Sequence, residues 1–247
     1  MTTTTTTALK TSKDRKVANG VSKNGKQAII SNTFGLANGK ANSCVEATEY
    51  CELICYAGKL ENFLPSIRAN MLHNWETLKD ATGDEMYYML ADIITEFRHA
   101  SNKRGIEKIY RIHWDGDFFN AEYTKAWIDV IRDFPDVHFW VYTRNAASAV
   151  MLHKANLPNL SLYFSADPIN EPIAHMLYKT YGIRPAAVAD TFADSQAMVE
   201  RITGRVGAKC PEQTGQIPLI SERGSACSVC RLCVDNKANI SFSRSKK

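Results

Sequence analysis

Seven cysteines are the residues of this 247-residue chain best suited to chemistry, and they fall into two groups. The C-terminal group is Cys210, Cys227, Cys230 and Cys233: a C-x2-C-x2-C run with a fourth cysteine upstream, followed by proline. Thiolates at steps of three can wrap one face of a cubane whose irons sit at separate corners. Zinc sites more often use two separated C-x2-C knuckles, each giving two ligands to a tetrahedron. The spacing therefore favours a [4Fe–4S] cluster, with a zinc-stabilised interaction protein as the alternative. Plain buried cysteines fit less well, because Ser225, Ser228 and Arg231 make the segment polar.

The N-terminal group is Cys44, Cys51 and Cys55, spaced C-x6-C-x3-C and followed by Tyr56-Ala57. No histidine lies near in sequence to complete a set of four; His73 belongs to the next predicted helix. Three thiolates on a cubane leave one iron open to a substrate or cofactor, as an open position marks catalytic metal sites. The odd cysteine count, the tight spacings and the lack of an apolar secretory core argue against a disulfide framework. They predict a cytoplasmic protein, where thiols stay reduced. No apolar run reaches membrane-spanning length, so no membrane partner is expected.

Other reactive residues sit in polar clusters. The turn Asp115-Gly116-Asp117 offers two carboxylates, which suit a cationic amine. His113, just before it, reads equally as a proton donor, a catalytic candidate, or as a satisfied core histidine. Arg144 could pair with a carboxylate on a cofactor or substrate, or form a salt bridge to Asp115 or Asp117. Asp167 precedes Pro168 and reads first as a turn starter. Asp190, Asp194 and Glu212 are weaker candidates, and Trp75, Trp127, Phe139 and Trp140 are most simply core. No P-loop, dinucleotide-binding glycine loop or Ser/His/Asp arrangement is present.

The elements that must position these residues follow a βα rhythm. A first strand is expected within Gln27–Leu36, then a helix over Tyr56–Lys79 with Phe63, Ile67, Met71, Trp75 and Leu78 at helical spacing. A second helix over Asp84–Ser101 turns Met86, Leu90, Ile93, Ile94 and Phe97 inward. Strands at Lys108–Trp114, Val137–Tyr142, Leu160–Phe164, Ala186–Ala189 and Arg205–Ala208 alternate with helices at Ala121–Phe134, Ala146–Lys154, Glu171–Tyr181 and Ser195–Thr203. Alternation of this kind predicts an α/β fold of about six parallel strands. It would be a partial or complete (β/α) barrel, with a doubly wound sheet as the alternative. The cysteines, Asp115, Arg144 and Asp167 would then share the carboxyl ends of the strands, where parallel barrels build active sites.

Three regions are expected: a disordered basic leader (1–27), a barrel-like domain (28–209) and a C-terminal cysteine-rich cluster segment with a basic tail (210–247). The formal charge of +4 is uneven: residues 1–27 carry +5, residues 241–247 carry +3, and the body is −4. Basic tails on a mildly acidic body leave nucleic acid or a host protein as partners through the tails, but do not make a nucleic-acid-binding domain.

Two resemblances add to this reading. A three-cysteine loop after the first strand resembles that of the radical S-adenosylmethionine (SAM) enzymes. There it implies a [4Fe–4S] cluster whose open iron takes the amino and carboxylate groups of SAM. It also implies that a strand-end turn, here Asp115-Gly116-Asp117, supports the SAM amine. The usual spacing is C-x3-C-x2-C with an aromatic before the last cysteine; here the spacing is longer, Ile54 precedes Cys55 and Tyr56 follows it. A closer resemblance, over about Gln27–Phe242, is to the phage gene-product-88 domain proteins. It rests on Cys51-Glu52-Leu53-Ile54-Cys55-Tyr56-Ala57, Ile112-His113-Trp114-Asp115-Gly116-Asp117-Phe118, Val141-Tyr142-Thr143-Arg144 and Cys227-Ser228-Val229-Cys230-Arg231-Leu232-Cys233. It implies a phage or mobile-element context and thus the host cytoplasm. The leading expectation is a radical-SAM-like enzyme of unknown substrate with a C-terminal auxiliary cluster. The runner-up is a non-catalytic iron–sulfur redox or regulatory protein.

Overall fold

The computed structural model describes residues 8–17, 19–21 and 27–244. A short ribbon of β1 (Asn19–Val21) and β2 (Gln27–Ile29) precedes β3 (Thr33–Gly35). Three helices follow: α1 (Glu49–Ile54), α2 (Tyr56–Phe63) and α3 (Pro65–Leu78). The long α4 (Gly83–Arg104) leads into β4 (Ile109–Asp115), α5 (Ala121–Asp133), β5 (His138–Thr143), α6 (Ala146–Lys154) and β6 (Leu160–Ala166). Next come α7 (Glu171–Tyr181), β7 (Arg184–Ala189), α8 (Phe192–Thr203) and β8 (Ala208–Lys209). The chain ends with β9 (Ile220–Ser221), β10 (Gly224–Ser225), α9 (Ala226–Cys230) and β11 (Ile240–Ser243).

Seven strands pair in parallel in the order β3-β4-β5-β6-β7-β11-β8. The sheet is open at β3 and β8, so a closed barrel is excluded. Strand order also lacks the reversal that marks a doubly wound sheet. Alternation along the strands separates two faces. Tyr110, Ile112, Phe139, Val141, Leu162, Phe164, Ala187 and Ala189 join the buried residues of α4–α8 in one large core. The opposite face carries Ile109, Trp140 and Tyr163. It is covered by Val17 of the leader and by the C-terminal cysteine segment, through Cys227, Leu232, Cys233 and Val234.

The expected helix over Tyr56–Lys79 is two helices. Pro65 disfavours helical backbone in the residue before it; Leu64 is extended (φ −124°, ψ 92°), α3 starts at Pro65, and Phe63 is exposed rather than inward. Inward positions of α4 are buried as the spacing requires, and its ends carry a Thr82/Glu85 capping box and a left-handed Gly105.

The leader is not loose where it is described. Leu9 and Val17 are buried, Asp14 pairs with Arg111 of β4, and Asn74 holds the backbone of Lys10 at both N and O. Residues 1–7 and 245–247, with the threonine run and Lys246 and Lys247, lie outside the described residues. The C-terminal segment is likewise tied to the body, because β11 inserts between β7 and β8.

The turn after β4 depends on one glycine. Gly116 has φ +79°, and a Cβ there would sit 2.7 Å from Leu36 Cβ and 2.9 Å from Leu36 O. Gly116→Ala is expected to cost at least about 2 kcal/mol, from left-handed strain plus overlap with fixed backbone. Urea unfolding would measure it, and an unchanged midpoint would contradict this account of the turn.

Candidate functional site

The N-terminal cysteines are brought to the carboxyl ends of β4–β7 by side chains that tie the loop down. Ser43 is buried; its hydroxyl donates to Ala37 O (2.7 Å) and accepts from Asp117 N (3.3 Å). Thr48 caps α1 by accepting from Cys51 N (3.0 Å), and the same hydroxyl reaches the Asp167 carboxylate at the end of β6. Tyr50 donates to Asp190 after β7 (3.0 Å). Cys55 ends α1 and begins α2, and its Sγ accepts from Gly58 N (3.2 Å). Thus α1 lies across the strand ends with Cys51 beside Arg144, and Cys44 and Cys55 flank the Asp115 turn.

Arg144 is placed by two acids. Its backbone N donates to Asp117 Oδ2 (2.7 Å), and its guanidinium pairs with Asp167 and reaches Ser165 O (3.2 Å). The ion pair is therefore with Asp167, not with Asp115 or Asp117. Asp167 also acts as the expected turn starter: its Oδ1 accepts from Ile169 N (2.9 Å) and Asn170 N (3.2 Å).

The two carboxylates of the turn differ. Asp117 is buried and engaged: Oδ1 accepts from Phe118 N (2.8 Å) and Thr143 Oγ1 (2.6 Å), Oδ2 from Arg144 N. It ties β4 to β5 and has little capacity left for an amine. Asp115 accepts from Gly116 N (2.9 Å), while its Oδ2 has no hydrogen-bond partner. Beside it stands a second buried acid, Glu61 of α2, which accepts from Asn38 N (3.1 Å). Burial, reinforced by Glu61, pushes the Asp115 carboxyl up to about 8. Neither Glu61 nor Asn38 was legible as a site residue; Glu61 reads as an ordinary exposed helical acid.

His113 departs from the catalytic reading. Strand alternation would put it on the Arg111 side. The β3–β4 register slips there, with Thr33 opposite Arg111 and Gly35 opposite Asp115, and His113 has φ +56°. Its ring turns into the helix-side core against Phe34, Phe118, Tyr123 and Trp127. Nε2 meets Tyr123 Oη at 2.8 Å, and burial holds the imidazole neutral, down to about 3. It is a core histidine.

The C-terminal cysteines Cys210, Cys227, Cys230 and Cys233 line one cleft together with Glu212 and Arg231. Cys210 N donates to Ser241 O (3.0 Å) and Cys227 N to Lys16 O (3.0 Å), so β11 and the leader hold opposite walls. The loop 231–238 is fastened to the sheet by Ser161 Oγ on Val234 O (2.6 Å) and Tyr163 Oη on Ala238 O (3.0 Å). All seven cysteines are free thiols and partly buried. Burial raises the thiols of Cys44, Cys51, Cys55, Cys210, Cys227 and Cys233, that of Cys233 up to about 12. Thiolates at these positions need a positive partner, and metal binding would release protons. Among the described residues, no three histidine, cysteine, aspartate or glutamate side chains converge closely enough to hold a single ion. No described helix is long and apolar enough to cross a membrane. Of the leader cations, Lys16 pairs with Glu212 (2.8 Å), while Lys10, Lys13 and Arg15 are exposed.

Asp115 generates a pH test. Its folded carboxyl titrates near 8 and an unfolded one near 3.8, so the folded state binds the extra proton between those values. Stability should therefore fall as pH rises from about 4 to about 8. Asp115→Asn should flatten that slope in thermal melts across the range; an unchanged slope would show that the Asp115–Glu61 pair does not produce it.

A family model described as Gene product 88 matches residues 6–236. The chain is 45% identical over 242 residues to the Gene 88 protein of Mycobacterium phage L5, across 97% of this chain and 99% of that protein. It is 43% identical over 244 residues to the Gene 88 protein of Mycobacterium phage D29, again across 97% and 99%. No solved structure matches.

Proposed function

From the premise that this chain belongs to the Gene product 88 family, with relatives encoded by phages, we propose that it is an iron–sulfur protein of radical-SAM-like type. Its N-terminal three-cysteine site is the reactive one and its C-terminal four-cysteine site is auxiliary. The observation that carries this reading is the gathering of Cys44, Cys51 and Cys55 over the strand ends by the Thr48, Tyr50 and Ser43 contacts. A loop tied down at three points yet presenting three protonated thiols is arranged for a ligand rather than for packing. Four thiols line the C-terminal cleft together, and their C-x2-C-x2-C spacing suits a cubane better than a single ion.

When bound, a three-cysteine [4Fe–4S] cluster supplies one-electron reducing power and an open iron for the amine and carboxylate of SAM. The chain's own residues orient and exclude water. Arg144, fixed by Asp117 and Asp167, places positive charge beside Cys51, where a carboxylate would be met. Asp115, with one oxygen unused, is the candidate for the amine, whose positive charge would draw this otherwise protonated carboxyl into its ionised form. Asp117 and His113 are assigned to scaffolding.

Anaerobically purified protein should be brown and contain iron and labile sulfide. Cys227→Ala, Cys230→Ala or Cys233→Ala should each remove one cluster's worth of iron; stoichiometric zinc without sulfide would replace this reading with the zinc alternative. Adding SAM to the reduced protein should change the electron paramagnetic resonance signal that Cys51→Ala abolishes. Asp115→Asn should weaken that SAM effect by roughly 1.5–3 kcal/mol, about ten- to a hundredfold. Asp117→Asn should instead lower stability. If the site fills with iron and SAM leaves its spectrum unchanged, the chain is a non-catalytic redox or regulatory iron–sulfur protein.

A further inference from the structure

The two cysteine groups are joined by one cation on the face of the sheet opposite α4–α8. Arg111 projects from the middle of β4, its side chain 11% exposed. One guanidinium nitrogen pairs with Asp14 and another donates to Tyr56 Oη (3.0 Å). Tyr56 follows Cys55 directly, and its hydroxyl donates in turn to Trp114 O (2.7 Å), so the Cys55–Tyr56 junction is pinned to β4. The guanidinium carbon lies 5.7 Å from the ring centroids of both Trp140 and Tyr142. Tyr142 packs with Cys227 and Cys233 in the small cluster beneath the C-terminal loop. A single permanently charged side chain thus touches the residue after the last N-terminal cysteine and the ring that faces two C-terminal ones.

We propose that Arg111 is a positioning residue shared by both cysteine sites, holding the Cys55–Tyr56 junction on one side and supplying positive charge toward Cys227 and Cys233 on the other. This deepens the reading of both groups as cluster sites and rests on it. Reduction adds an electron to a buried, thiolate-bound cluster, and net charge and hydrogen bonding near the sulfurs set its potential. A cation between two clusters favours the reduced form of each. Removing it leaves Asp14 unpaired nearby and disfavours both reduced forms further.

The test is a redox titration of the full anaerobic chain, followed by electron paramagnetic resonance, in wild type, Arg111→Lys and Arg111→Gln. The two signals are assigned by their loss in Cys51→Ala and in Cys227→Ala. Iron and sulfide content of each protein comes first: wild type without iron fails the iron–sulfur reading, and this inference falls with it. With both sites filled, Arg111→Gln should move both midpoints to lower potential, and Arg111→Lys, which keeps the charge, should largely restore them. A shift confined to one site, or none, would overturn the proposal while leaving the clusters standing. If Arg111→Gln does not fold, Tyr56→Phe, which removes the hydroxyl that Arg111 holds, tests the N-terminal side alone. It should displace the N-terminal signal and leave the C-terminal one in place, and an unmoved N-terminal signal would overturn the proposal.

Discussion

The carboxylate of Asp117 is the constraint on which the candidate site hangs. It follows the left-handed Gly116, and its hydrogen bonds reach Thr143 at the end of the next strand and Arg144 just beyond it. Its backbone N–H meets Ser43, the residue before the first cysteine. An ionised carboxylate enclosed without such donors would cost several kcal/mol. Satisfied by donors from separate segments, it fixes them relative to one another. The position of Cys44, the approach of Arg144 to Asp167 and the register of the strand ends all descend from this buried acid.

Much of this was legible in the sequence because it is local. The helices Ala146–Lys154 and Glu171–Tyr181 and the strand starting at Leu160 fall where periodicity puts them, and the placing of the candidate site at the strand ends follows from parallel connectivity. What was not legible is non-local. Nothing near Glu61 announces that its carboxyl will face Asp115, and nothing near Asp14 announces Arg111. The fate of His113 turns on a register slip between β3 and β4, which strand alternation cannot foresee. The strand Ile240–Ser243 was missed because it is short and follows a loop whose composition advertises ligands rather than structure. The family match and the two phage relatives agree with the resemblance drawn from the motifs and add no reaction to it.

An open sheet with α4–α8 packed on one face leaves the other face in need of cover. A closed barrel would meet that need with its own strands. Here the leader and the cysteine loop do so, and the aromatic residues Trp140, Tyr142 and Tyr163 form the floor on which they rest. The cover is chemically unlike a barrel interior: it faces Arg111 of β4 and carries four thiols and a string of backbone carbonyls bound to β6 side chains. Architecture and chemistry are coupled, because the segment that shields the sheet is also the segment that carries the thiols.

Strand β8 has one neighbour in the sheet, and that neighbour is β11. Cys210 follows β8 directly, and the backbone that holds it is Ser241. The wall bearing Cys210 therefore cannot dock before residues 240–243 have left the ribosome, by which time Cys227, Cys230 and Cys233 have already emerged. Closing that loop brings Cys210 to the side of the other three thiols as a late event. The wall that bears Cys210 is thus the last part of the sheet to be completed.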